Sequence, residues 1–134
     1  MDQYIEFATN HVLLVSSFFV VAAALLWNLL NNPGAKFNLD AADSVQKINH
    51  DGAMVLDVRS MAEFKKGHIV NAENVPLNSL KNSLKALEKH KDKPIIAVCQ
   101  SGSRSASACT TLRKAGFEYV YNLRGGMMAW QSAQ

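Results

Sequence analysis

The longest apolar pattern in the chain is continuous rather than periodic. Between Glu6 and Lys36 no residue carries a formal charge, and residues 11–30 read HVLLVSSFFVVAAALLWNLL. At about 1.5 Å per helical residue, twenty residues reach about 30 Å, the thickness of a bilayer's hydrocarbon core. Ser16 and Ser17 fit such a span because their hydroxyls can bond back to the helix backbone, and Asn28 lies near an end beside Trp27. A buried helix of a soluble domain would keep one polar face, which this segment lacks. A cleaved signal peptide would begin with positive charge and carry a shorter apolar run; here the start is acidic and the run continues through Leu30. The pattern predicts a membrane-spanning helix over residues 11–30, preceded by a short tail at 1–10.

Asn31-Asn32-Pro33-Gly34 then stops the helix, since Pro and Gly break it and Asn favours turns. Residues 31–38 read as a linker and residues 39–134 as a folded domain. Within that domain the pattern shortens and alternates. Apolar β-rich runs at residues 53–58 (AMVLDV), 94–98 (PIIAV) and 119–123 (YVYNL), with a possible fourth at 72–75, are separated by helix-like stretches at 40–49, 77–89 and 104–115. Such alternation predicts an α/β domain with a parallel sheet flanked by helices, in which ligands gather at the carboxyl ends of the strands.

Length and charge sharpen this picture. A chain of 134 residues holds one modest core, and 49% hydrophobic with 19% charged residues excludes a disordered or low-complexity polymer. All 14 Lys and Arg lie at or after Lys36, so the positive-inside bias places residues 1–10 outside and the domain in the cytoplasm, on a single pass through the inner membrane. The basic residues are dispersed rather than clustered with aromatics, so no nucleic-acid partner is expected. Two cysteines, Cys99 and Cys109, are too few for a secreted disulfide scaffold and point to a reducing compartment or a chemical use.

Cys99 follows the buried run Ile95-Ile96-Ala97-Val98 directly, at the end of a strand where ligands gather. Gln100, Ser101, Gly102 and Ser103 form a short polar loop before a helix that starts near Arg104. A loop turning back over the strand end aims backbone N–H groups inward, and the helix start adds partial positive charge. Arg104 can contribute a full charge if its guanidinium folds over the loop. A thiolate there would have a lowered pKa and act as a nucleophile near neutrality. Gly102 suits a position that needs an unusual backbone angle or a close approach. Cys109 shares a helical stripe with Ala106 and Leu112 and reads as a packed core thiol.

The loop CQSGSR, the segment LDVRS with its downstream EFKKGHIVNAENVPL, and the closing GFEYVYNLRGGMMAW together resemble the rhodanese family of sulfurtransferases over roughly residues 40–134. With the preceding helix, the chain is similar to membrane-anchored single-domain bacterial rhodaneses. The resemblance implies a mostly parallel five-stranded sheet and a Cys99 persulfide cradled by Gln100 to Arg104. It also implies transfer of sulfane sulfur from a small anionic donor such as thiosulfate to a thiol, cyanide or a protein acceptor, with no cofactor. Asp57 and Arg59, at the end of LDVRS, are implied to lie near the loop in a supporting role; from the residues alone, Asp57 could equally be an ordinary polar group leaving the sheet. The alternative to turnover is a tethered interaction module or sulfur-relay carrier.

Other chemistry finds less support. Cysteine phosphatases enclose five residues between Cys and Arg, whereas Cys99 and Arg104 enclose four, a cradle that fits sulfur better than phosphate. His68 has no spacing that brings it to the cysteine and reads as structural. Four His and two Cys contain no short-spaced metal pair, and Gly125-Gly126 sits in a late turn rather than in a nucleotide motif.

Overall fold

The computed structural model describes residues 1–30 and 36–134. The predicted helix stop at residues 31–34 lies outside the described residues. The chain divides into two compact units, Met1–Ala35 and Lys36–Gln134.

The first unit contains α1 (Asp2–Asn10) and α2 (Val12–Leu30). Helix α2 is long and apolar enough to cross a membrane, with a mean hydropathy of 2.3 and none of its length buried within the protein. Ser16 and Ser17 donate to the carbonyls of Leu13 and Leu14 at 3.1 and 2.8 Å, so neither hydroxyl is left unpaired in the apolar run. Helix α1 had no counterpart in the apolar pattern, because it is held by local polar features. Asp2 lies in its first turn, where negative charge is favoured, and Thr9 donates to the carbonyls of Ile5 and Glu6.

In the second unit the strands are β1 (Asn38–Leu39), β2 (Met54–Asp57), β3 (Glu73–Asn74), β4 (Ile95–Val98) and β5 (Val120–Leu123). They form one sheet in the order β1-β5-β4-β2-β3, and each neighbouring pair is parallel. Asp57 pairs with Val98 and Ala97 with Asn122, so β2, β4 and β5 end nearly level. Asn38, read from sequence as linker, is already part of β1, and the Phe37 ring lies 6.2 Å from that of Tyr121.

Alternate residues of β4 face opposite layers, as strand geometry requires. Ile95 and Ala97 pack with Leu112 and Phe117 on one side; Ile96 and Val98 pack with Leu123 and Met127 on the other. The helices of this unit are α3 (Ala41–Asp51), α4 (Met61–Lys66), α5 (Leu80–Leu87), α6 (Ser103–Lys114) and α7 (Gly126–Ser132). Asp40 caps α3 by accepting from the Asp43 N–H at 2.8 Å. The stretch at 77–89, read as one helix, divides into 3-10 turns at Leu77–Ser79 and Glu88–His90 around α5. At its start the Leu77 N–H donates to the Val58 carbonyl at 3.1 Å.

Candidate active site

The level strand ends place Cys99 at the mouth of a loop that closes over it. Its Sγ accepts the Gly102 N–H at 3.0 Å and lies 3.3 Å from the Ser105 hydroxyl. Gly102 reaches the sulfur with φ of +102°, and an added Cβ would come within 3.3 Å of the Gly125 nitrogen. The loop shell consists of Gln100, Ser101 and Ser103, all exposed, while Cys99 itself has no exposed surface. Cys99 thus belongs to the buried apolar layer while its sulfur is bonded from the loop and the start of α6.

Burial pushes the Cys99 thiol up, yet the Ser105 hydroxyl and the N–H groups of Ser105, Gly102 and Ser101 together outweigh it, and the pKa falls below its ordinary value. Ser105 is fully buried and carries one hydroxyl proton. That proton is donated to Asn122 Oδ1 at 2.5 Å, and the Asn122 amide is oriented by donating to Asn38 Oδ1 and the Gly102 carbonyl at 3.1 and 3.2 Å. With the proton on Asn122, Ser105 accepts from a neutral thiol; turned to Sγ, it donates to a thiolate. Ser105→Ala removes this partner, so the Cys99 pKa rises, and alkylation by iodoacetamide at pH 7 slows roughly tenfold. The pH profile of alkylation reads the shift directly.

The carbonyl side of the loop is fixed by the start of α7. Met127 N–H donates to the Cys99 carbonyl at 2.8 Å and Met128 N–H to the Gln100 carbonyl at 3.2 Å. The late Gly125-Gly126 turn thereby becomes part of the site, since backbone groups of residues 99 and 100 press against Gly126.

The Arg104 guanidinium, expected from sequence to fold over the loop, is held by a carboxylate. It donates through two nitrogens to Glu63, at 2.9 Å to Oε1 and 3.0 Å to Oε2. The reason lies in α4: Ser60 accepts from the Glu63 N–H at 3.2 Å, a cap that fixes the helix start and presents this carboxylate to the arginine. The Arg104 pKa is raised, first by the Glu63 bond. The same bond holds Glu63 near about 2. A carboxylate with a depressed folded pKa stabilises fully above its unfolded value near 4.5, and that contribution is lost as pH falls through about 2. Glu63→Gln therefore makes urea stability fall less steeply between those two pH values, by a small margin because both side chains are over a third exposed.

Asp57, the last residue of β2, and Arg59 just beyond it form a buried pair. The Arg59 backbone N–H and Nε donate to Asp57, a further guanidinium nitrogen donates to it at 2.8 Å, and the same nitrogen donates to the Gly67 carbonyl at 2.7 Å. Asn74 Nδ2 donates to the carbonyls of both residues. These bonds tie the two ends of α4 to the sheet and so hold the helix that carries Glu63. His68 stacks on Phe64 at 3.7 Å and bonds its carbonyl through Nδ1 at 2.8 Å. Cys109 donates to the Tyr121 carbonyl at 3.4 Å, and burial pushes its thiol up to about 11. Among the described residues, no group of three His, Cys, Asp or Glu side chains is placed to hold a metal ion.

Sequence reasoning had not singled out Ser105, Asn122, Glu63 or Gly126. Only Glu63 left a local signal, the Ser60-x-x-Glu63 capping pattern.

Other proteins are similar to this chain in sequence and fold. Residues 40–133 match the family model of the rhodanese-like domain. An uncharacterised Escherichia coli protein, YibN, is 32% identical over 132 residues, covering 97% of this chain and 92% of its own. The thiosulfate sulfurtransferase GlpE of Pseudomonas aeruginosa is 32% identical over 96 residues, 72% of this chain and 86% of the relative. The crystal structure of a rhodanese-related protein from Thermoplasma volcanium superposes with a TM-score of 0.65 at 33% identity, covering 72% of this chain and 91% of that one. With its cysteine loop at the end of β4 in a five-stranded parallel sheet, and a match over residues 40–133, the chain belongs to the rhodanese family.

Proposed function

We propose that this domain is a sulfurtransferase that moves sulfane sulfur from a small anionic donor such as thiosulfate to a thiol, cyanide or a protein acceptor, through a persulfide on Cys99. The observation that carries this reading is the Cys99 sulfur itself, bonded by Gly102 and Ser105 and made more acidic than an ordinary thiol. Relatives named as sulfurtransferases, at 30–35% identity, support the same chemistry.

In the first step the Cys99 thiolate attacks the outer sulfur of thiosulfate. The S–S bond of the donor breaks, and sulfite leaves with its electron pair. The loop N–H groups then stabilise the charge on the terminal sulfur, as an oxyanion hole stabilises developing oxygen charge. In the second step cyanide attacks that sulfur, thiocyanate leaves, and the Cys99 thiolate is restored. Because Cys99 has no exposed surface, the exposed residues Gln100, Ser101 and Ser103 give way as the donor enters and then line the bound sulfur. Arg104 borders the loop as the partner of Glu63, held by two bonds to that carboxylate.

Helix α2 anchors the domain in a membrane in this reading. Lys36 and Lys47 follow the span and no Lys or Arg precedes it, which favours a cytoplasmic domain on the inner membrane with the N-terminus outside. The test is turnover by the full chain in detergent: thiosulfate and cyanide yield thiocyanate and sulfite in equal amounts. Absence of thiocyanate with every sulfane donor tried would favour a tethered binding module.

A further inference from the structure

Both arginines beside the carboxyl ends of β2 and β4 are already committed to carboxylates. Arg59 is closed on Asp57 in the interior, and Arg104 meets Glu63 through two parallel bonds. A guanidinium that spends two donors on one carboxylate has both its geometry and its charge offset, so it offers little to a second anion. Arg104 and Glu63 are 39% and 37% exposed, which leaves the pair accessible to a competing ligand.

Against this charge-compensated rim lies a cleft of about 510 Å³ that reaches Arg104, with Val58, Met61, Pro76 and Leu77 on its apolar side and Ser60, Asn78 and Ser79 on its polar side. It adjoins the nucleophile's strand end, because the Val58 N–H donates to the carbonyl of Val98, the residue before Cys99, at 2.9 Å. An apolar side and uncharged polar groups beside a neutralised arginine suit a ligand with an organic body and little charge.

We infer that Glu63 determines donor specificity: it withholds Arg104 from dianionic donors, and the adjoining cleft takes the apolar body of a singly charged organic sulfur donor. This deepens the sulfurtransferase reading and rests on it. Thiosulfate carries two charges and no body, whereas benzenethiosulfonate carries one charge, an aromatic ring and the same kind of sulfane sulfur. With the latter, the Cys99 thiolate attacks the sulfane sulfur, the S–S bond breaks, and benzenesulfinate leaves with the electron pair.

The experiment has a turnover arm and a binding arm, both on the full chain in detergent. In the first, kcat/KM is measured for thiosulfate and benzenethiosulfonate with cyanide as acceptor. Glu63→Gln moves the ratio roughly tenfold toward thiosulfate, since a negative charge beside a dianion is removed. Glu63→Asp, which keeps the charge, retains the wild-type ratio. In the second, calorimetry measures thiosulfate affinity in a Cys99→Ser background, where no sulfur transfer is needed. There Glu63→Gln tightens thiosulfate roughly tenfold, and Arg104→Ala weakens it by less than about twofold, because its charge is already taken. Unchanged or weaker thiosulfate binding by Glu63→Gln, or a tenfold loss on Arg104→Ala, would mean that Glu63 only holds Arg104 in place as a donor anchor, and would overturn the inference. A wild type that turns over neither donor counts against the sulfurtransferase reading, while the calorimetry still decides the role of Glu63.

Discussion

Cys99→Ser abolishes sulfur transfer, with thiocyanate formation from thiosulfate and cyanide falling by roughly four orders of magnitude, to the uncatalysed background. The serine hydroxyl can still accept from Gly102 N–H and meet Ser105, so the loop keeps its shape. What is lost is the nucleophile. A hydroxyl is essentially un-ionised at neutral pH and forms no persulfide, so the Gly102 and Ser105 bonds have no stored sulfur to stabilise. Thermal unfolding near the wild-type midpoint would show that the loss is chemical rather than structural. Turnover by the serine variant at the wild-type rate would remove Cys99 from the reaction.

The second large effect is expected at a residue that never meets the donor. In Gly126→Ala the new Cβ would lie 2.2 Å from the Cys99 carbonyl oxygen and 2.7 Å from the carbonyl carbon and oxygen of Gln100. These are backbone atoms, so no side chain can swing aside. Gly126 also has φ of +56°, in the left-handed region that alanine occupies at a cost. Relief requires the start of α7 and the cysteine loop to separate, which breaks the bonds from Met127 and Met128 to the Cys99 and Gln100 carbonyls. We expect a stability loss of about 2–4 kcal/mol by urea unfolding. Displacement of the loop by a fraction of an ångström to one ångström lowers kcat/KM roughly 100-fold in the molecules that remain folded. Wild-type stability together with wild-type turnover would show that the loop is not clamped by this turn.

These two sites differ in how they can be read from the chain. Cys99 is legible because its evidence is contiguous: an apolar strand, a polar loop with a glycine, and a helix start follow one another in sequence. Strands β2, β4 and β5 are legible for a similar reason, each being four residues long and mostly apolar. Strands β1 and β3 are two residues long and have no period of their own; they exist because β5 and β2 offer open edges to pair with. Helices α4 and α7 span six and seven residues, too short for an apolar stripe to emerge.

The partners of the site are less legible still, because they arrive from far along the chain. Ser105 depends on Asn122, 17 residues away, and Arg104 on Glu63, 41 residues away. The sequence established that Arg104 follows the loop but not which way it turns, since that is settled by a carboxylate positioned through the capped start of another helix. Gly126 illustrates the same limit. Its significance is a distance to the Cys99 carbonyl, and no local pattern encodes a distance across the sheet.

The account stands most directly on one measurement: mass spectrometry of the proteolysed protein after incubation with a sulfane donor and removal of the excess. The prediction is a gain of one sulfur atom on the peptide containing Cys99, lost again on treatment with cyanide, and no gain on Cys109. An unmodified Cys99 peptide, or added sulfur found on Cys109 instead, would contradict it.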